Sequence, residues 1–161
     1  MKYIKSNFHV EDVNLQKLAK KFDTPLYCYS YEKLKKNIIN FKFHFRKLNP
    51  LICFAIKSNS NLSIIKEIKK LGLGADVVSK GELTQALKAG INPKQIVFSG
   101  VGKSHSELKY AIEKKILLIN SESKSEVFEI EKIAKIKKKI VNIGIRLNPN
   151  TDAKTLSKIS T

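Results

Sequence analysis

The sequence predicts an α/β chain built from successive β–α units in a parallel sheet. Two observations carry that expectation. From residue 51 onward one pattern recurs: a short β-rich apolar run, a turn of small polar residues, then an amphipathic helical stretch. The apolar runs return about every 20 to 26 residues, which is the rhythm of strands separated by helices. Right-handed crossovers are expected, while the rhythm leaves open whether the sheet is open or closed into a barrel.

Ahead of the repeating units, residues 10–22 (VEDVNLQKLAKKF) read as a helix. Residues 24–30 (TPLYCYS), with Tyr and Cys alternating, read as a strand, and residues 31–45 (YEKLKKNIINFKFHF) as a second helix. The units then follow in order. LICFAI (51–56) leads to a helix near 62–71, and ADVV (75–78) to one near 81–89, closed by Gly90 as a C-cap with Pro93 soon after. IVFS (96–99) precedes a helix at 104–114, ILLI (116–119) one at 123–137, and IVNIGIRL (140–147) is the last strand. The tail NPNTDAKTLSKIST (148–161) has polar loop character, so the chain is expected to be cut from something longer.

The 161 residues fit one domain of ordinary size, and a hydrophobic content of 42% with five Tyr and eight Phe allows a sizeable core. The formal net charge of +17 suggests an acidic partner at first sight. The kind of base argues against nucleic acid. Only Arg46 and Arg146 are arginines, whereas base-edge and phosphate-fork readout favours Arg, and the lysine pairs fall on amphipathic helices as solvated outer faces. Cys28 and Cys53 lie in apolar runs with no Cys-x-x-Cys pair and no His at ligand spacing, which points to two packed, reduced thiols and no metal. No signal peptide and no apolar run near the ~18 residues of a membrane span is present, so a soluble cytoplasmic protein is expected.

In a parallel β–α architecture, ligands gather where the carboxyl ends of the strands meet the loops. The residues at those ends are Lys57 and Ser58, Asp76 and Ser79, Ser99 and Gly100, Asn120 and Ser121, and Arg146 and Asn148. Lysine in CFAIKSNSN (53–61) is the unusual one. Rooted at the end of an apolar strand, the amine of Lys57 would be partly desolvated, which favours its neutral form, able to form a Schiff base. The other reading is a lysine that snorkels into solvent, and position alone leaves both open. SGVGKS (99–104) invites a phosphate-loop reading, but a Walker-type loop needs glycine where Val97 stands; a strand-to-helix turn with Ser104 as N-cap remains. His9, His44 and His105 lie in unrelated segments with no obvious partner.

TPLYCYS, CFAIKSNSN, GLGADVVSKGEL, IVFSGVGKS, LINSES and RLNPNTDAKTLSKIST stand in the order of the N-terminal part of the diaminopimelate decarboxylases. The whole chain resembles that family, most specifically in the last segment. The resemblance implies the fold of the alanine-racemase-like enzymes that use pyridoxal 5'-phosphate (PLP): a (β/α)8 TIM barrel followed by a β-rich domain. Residues 31–161 would be an incomplete PLP-binding barrel of about five β–α units. Residues 1–30 would be a helix and a strand leading into it, the strand joining a β-domain that this chain lacks.

By the same resemblance, Lys57 matches the lysine that carries the cofactor. Asp76 should lie beside the cofactor near Lys57, Arg146 should reach under its ring from the fifth strand, and Ser99 and Asn148 are further cofactor-binding candidates. The implied reaction is decarboxylation of meso-diaminopimelate to L-lysine and carbon dioxide, the last step of lysine biosynthesis, by a homodimer. Family members place a ring-stacking His, a Gly-rich phosphate cradle and a Glu-Pro-Gly-Arg segment beyond the point where this chain ends, so the chain alone is expected to be inactive. The alternatives are a non-catalytic truncated product, a relative acting on ornithine, arginine or carboxynorspermidine, and, in a different class, a basic protein binding nucleic acid weakly and salt-sensitively.

Overall fold

Three short antiparallel strands open the chain, in a computed structural model that describes residues 2–148: β1 (Lys2–Ile4), β2 (Asn7–Val10) and β3 (Val13–Asn14). The expected helix over 10–22 is therefore corrected at its start. Lys5 and Ser6, at φ 44° and 64°, form a two-residue hairpin turn that pairs Lys2 with His9, and the chain reverses again at Glu11. Helix α1 (Leu15–Phe22) begins only where Asn14 accepts from the amides of Gln16 and Lys17.

The expected strand over 24–30 is also corrected. Those residues pair with no described strand, and Tyr27 and Tyr29 are 89% and 61% exposed. Helix α2 (Tyr31–Phe45) has the expected bounds. Ser30 caps it by accepting from Lys33, and the Glu11 carboxylate accepts from the Ser30 hydroxyl at 2.7 Å and the Glu32 amide at 2.9 Å. Those bonds, the Glu32 amide foremost, hold the Glu11 carboxyl below the usual carboxylate range.

The described residues divide into two compact units between Pro50 and Leu51. The second consists of β–α units: β4 (Cys53–Ala55), α3 (Leu62–Lys70), β5 (Gly74–Val77), α4 (Lys80–Lys88), β6 (Ile96–Phe98), α5 (His105–Lys114), β7 (Leu118–Ser121), α6 (Lys124–Lys137) and β8 (Ile143–Ile145). The five strands form one parallel sheet in the order β4-β5-β6-β7-β8. That order never reverses, so there is no switch point of the doubly wound kind; it is the order of a barrel sector.

Side chains alternate across this sheet. Ala75, Val77, Ile96, Phe98 and Ile119 turn to one face and meet Ile65, Leu83, Ala86, Leu108, Ala111, Ile130 and Ile133 of the helices, all at 3% exposure or less. Each such large side chain contributes about 1.5–3 kcal/mol of burial. Asp76, Ser99 and Asn120 occupy the alternate positions and turn to the other face.

The helices start by one repeated device. Ser79, Ser104 and Ser123 are the N-caps of α4, α5 and α6, each accepting from the amide of a glutamate three residues on: Glu82, Glu107 and Glu126. Those carboxylates reach back to the strand side, accepting from the amides of Val78 at 2.9 Å, Ser104 at 3.0 Å and Glu122 at 3.1 Å. Glu107 also accepts from the Lys80 amide at 2.9 Å, linking α5 to the start of α4. At the far end of α4 the expected Gly90 cap is present: Gly90, at φ 85°, and Ile91 donate to Leu87 and Ala86.

Candidate active site

The carboxyl ends of β5, β6 and β7 carry a hydrogen-bonded chain. The Ser99 hydroxyl donates to Asp76 Oδ1 at 2.6 Å, and Asn120 Nδ2 donates to Ser99 Oγ at 3.1 Å. Each side chain is half-buried on the face opposite the helices. Gly144 of β8, paired with Asn120, makes room for this chain, because any Cβ there would run into the Asn120 amide oxygen. Asn120, a strand-end residue not singled out as a cofactor contact, thus belongs with Asp76 and Ser99. Its sequence signal was parity: it stands where the alternation of β7 turns a polar residue inward.

Lys57 lies next to this chain along the sheet edge. Its strand, β4, pairs Ala55 with Asp76. The expected strand continued to Ile56; instead the chain leaves β4 after Ala55 into a single 3-10 turn, Ile56–Ser58, closed by the Ser58 hydroxyl donating to the Ala55 carbonyl at 2.7 Å. Ile56 anchors the turn at 0% exposure, and Lys57 itself is exposed, with no ion pair to any described residue. The desolvation expected from a strand-rooted lysine is therefore not supplied by these residues. Beside Asp76, burial pushes the Cys53 thiol up, with the Asp76 charge adding to it.

Arg146 and Asn148 are placed differently. The Arg146 amide extends the pairing of β8 to the Ser121 carbonyl, while its guanidinium bonds Glu122 Oε2 at 3.3 Å. It is tied to the rim after β7 and not to Asp76 or Lys57. Asn148 is exposed at the end of the described residues. Of the histidines, His9 bonds the Asn7 carbonyl through Nδ1 at 2.9 Å, and His105 bonds Glu129 on α6 through Nδ1.

Comparison with known proteins gives the family and the fold. Residues 31–161 match the family described as "Pyridoxal-dependent decarboxylase, pyridoxal binding domain". The chain belongs to that family. It is 49% identical over 148 residues to a diaminopimelate decarboxylase of Helicobacter pylori, covering 92% of this chain and 36% of that protein. The crystal structure of diaminopimelate decarboxylase from Helicobacter pylori complexed with L-lysine superimposes with a TM-score of 0.87 at 48% identity, over 92% of this chain and 38% of the other. That of diaminopimelate decarboxylase from M. jannaschi gives 0.90 at 36% identity, over 99% and 38%. The five-stranded sheet is thus the N-terminal part of the family's barrel, and the chain spans well under half the length of these relatives.

Membership in a pyridoxal-dependent family makes PLP the cofactor of this domain. The residues present fit it. Lys57 offers a primary amine that no described carboxylate occupies, next to a strand whose carboxylate is oriented by a hydroxyl that itself accepts from an amide. No helix among the described residues is long and apolar enough to cross a membrane.

Proposed function

We propose that the protein carrying this chain decarboxylates meso-diaminopimelate to L-lysine, the last step of lysine biosynthesis, with Lys57 as the residue that holds PLP. The observation that carries the reading is Lys57 at the carboxyl end of β4, one strand from the Asp76–Ser99–Asn120 chain, inside a family defined by pyridoxal binding. Relatives at 43–49% identity bearing the diaminopimelate decarboxylase name support that substrate over ornithine, arginine or carboxynorspermidine.

When bound, PLP supplies a carbonyl that condenses with amines and a ring that takes up the electron pair left as carbon dioxide departs. The chain's own residues do the rest. Lys57 would hold the cofactor through its side-chain amine. The Asp76 carboxylate, held by the Ser99 hydroxyl one strand from Lys57, would present a fixed negative charge toward the cofactor. Ser99 and Asn120 hold Asp76 to one orientation, so the carboxylate need not reorganise during the reaction. Arg146 and Asn148, which follow β8, are proposed as further cofactor contacts, Arg146 starting from its bond to Glu122.

The same reading takes residues 31–161 as the cofactor-binding domain and 1–30 as a segment leading into it, in a cytoplasmic homodimer. The 161 residues alone are expected to be inactive, since they span 36–38% of the relatives' length and the phosphate site of such barrels is built from later loops. The test is carbon dioxide release from meso-diaminopimelate by the full-length protein, with Lys57→Ala beside it. Turnover lost by more than about a thousandfold in the variant is expected. Unchanged turnover, or a preference for ornithine, would overturn the reading.

A further inference from the structure

Lys103, in the SGVGKS turn, has no part in the chemistry above, yet its charged side chain is enclosed, at 1% exposure. Its ammonium has three protons and meets three acceptors: the Gly100 carbonyl at 2.7 Å, the Asn120 carbonyl at 2.7 Å and Glu126 Oε1 at 2.6 Å. With every proton engaged, nothing remains for a ligand phosphate. The acceptors come from the loop after β6, from β7 itself and from the first turn of α6, so one ammonium joins two successive β–α junctions.

The joined atoms matter because of what they carry. Gly100 follows Ser99 directly and turns at φ 93°, and Asn120 is the residue whose side chain donates to Ser99. Glu126, 9% exposed, uses its second oxygen on the Glu122 amide, and the Glu122 carboxylate in turn bonds Arg146. A buried ion pair is costly to desolvate, and apolar residues of similar volume often give equal or better stability. Stability alone therefore does not account for a lysine here. We propose that Lys103 is a positioning residue: it locks Gly100, Asn120 and Glu126 together and so sets the geometry of the Asp76–Ser99–Asn120 chain and of Arg146, without touching substrate or cofactor. This rests on the reading of the mouth as a decarboxylase site.

The test uses the full-length protein. Lys103→Met strands the Glu126 carboxylate in a buried site and should lower Tm, so it cannot separate folding from positioning. Lys103→Met combined with Glu126→Gln removes both charges and keeps an acceptor for the Glu122 amide, and should recover most of the Tm. Three readouts on that double variant decide the matter. The proposal expects kcat to stay down by about ten- to a hundredfold with KM little moved. It also expects the pH profile of cofactor absorbance to shift, and the side-chain amide resonances of Asn120 in cofactor-free protein to move and broaden. A double variant with restored Tm, wild-type kcat and pH profile, and unmoved Asn120 resonances would overturn it. Failure of the decarboxylase reading has a different sign: the wild-type protein would form no pyridoxal adduct, while the Asn120 resonances would still report on Lys103.

Discussion

Val77 and Phe98 face the helices and are fully buried, whereas Asp76 and Ser99, their immediate neighbours in the chain, face the other way, half-buried and bonded to each other. The same two strand ends supply both sets. One face of the sheet holds the unit together by apolar burial, and the other carries an ordered line of acceptor and donor groups. Parity along a strand therefore separates stability from chemistry, and substitutions one residue apart should fail in different assays.

Phe98→Ala should give the largest effect on stability. It should cost about 3–5 kcal/mol, read as a lower denaturant midpoint of the full-length protein, because it leaves a cavity between sheet and helices. Asp76→Asn on the opposite face should barely move that midpoint but lower kcat/KM by about ten- to a hundredfold, the weight of a hydrogen-bonded charge of about 1.5–3 kcal/mol. A loss of stability with unchanged activity would erase the distinction between the faces. Ser99→Ala should lower activity by about tenfold or less, since a neutral donor is worth about 0.5–1.5 kcal/mol.

The smallest expected effect concerns pH. Glu107 is held below the usual carboxylate range first by the Lys80 amide and then by the Ser104 amide. Because its folded form binds a proton less readily than its unfolded form, its stabilisation is complete above about pH 5 and is lost as pH falls below the usual carboxylate value near ~4. The side chain is half-buried at the surface, where water screens it, so the effect should be a few tenths of a kcal/mol at most. Glu107→Gln should flatten the acid limb of a plot of Tm against pH; a limb of unchanged slope would remove Glu107 from the rim.

Much of this was legible in the sequence for physical reasons. The five strands and four helices of the second unit announced themselves because burial on one face forces periodicity, and α2 began and ended as read because Ser30 is an effective cap. The N-terminal strands were not legible: their hairpin turns at Lys5 and Ser6 use left-handed backbone without the glycine or Asn-Gly that normally marks it. Residues 24–30 have strand-like alternation but no described partner, and alternation predicts a face, not a neighbour. Among the candidate residues, Lys57 and Ser99 were visible as polar residues ending apolar runs, and Asp76 as a carboxylate inside one. Lys103 was dismissed with the failed phosphate-loop motif, although Ser123 and Glu126 repeat the Ser-x-x-Glu spacing of the neighbouring helix starts and placed a carboxylate within its reach.

The central claim is that Lys57 is the amine that holds the cofactor, and trapping tests it most directly. The full-length protein should be mixed with PLP, reduced with borohydride and digested, and the modified peptide identified by mass spectrometry. A single pyridoxyl group on the peptide containing Lys57, absent from Lys57→Ala, is the predicted result. Label spread over the many surface lysines, or undiminished in Lys57→Ala, would contradict it.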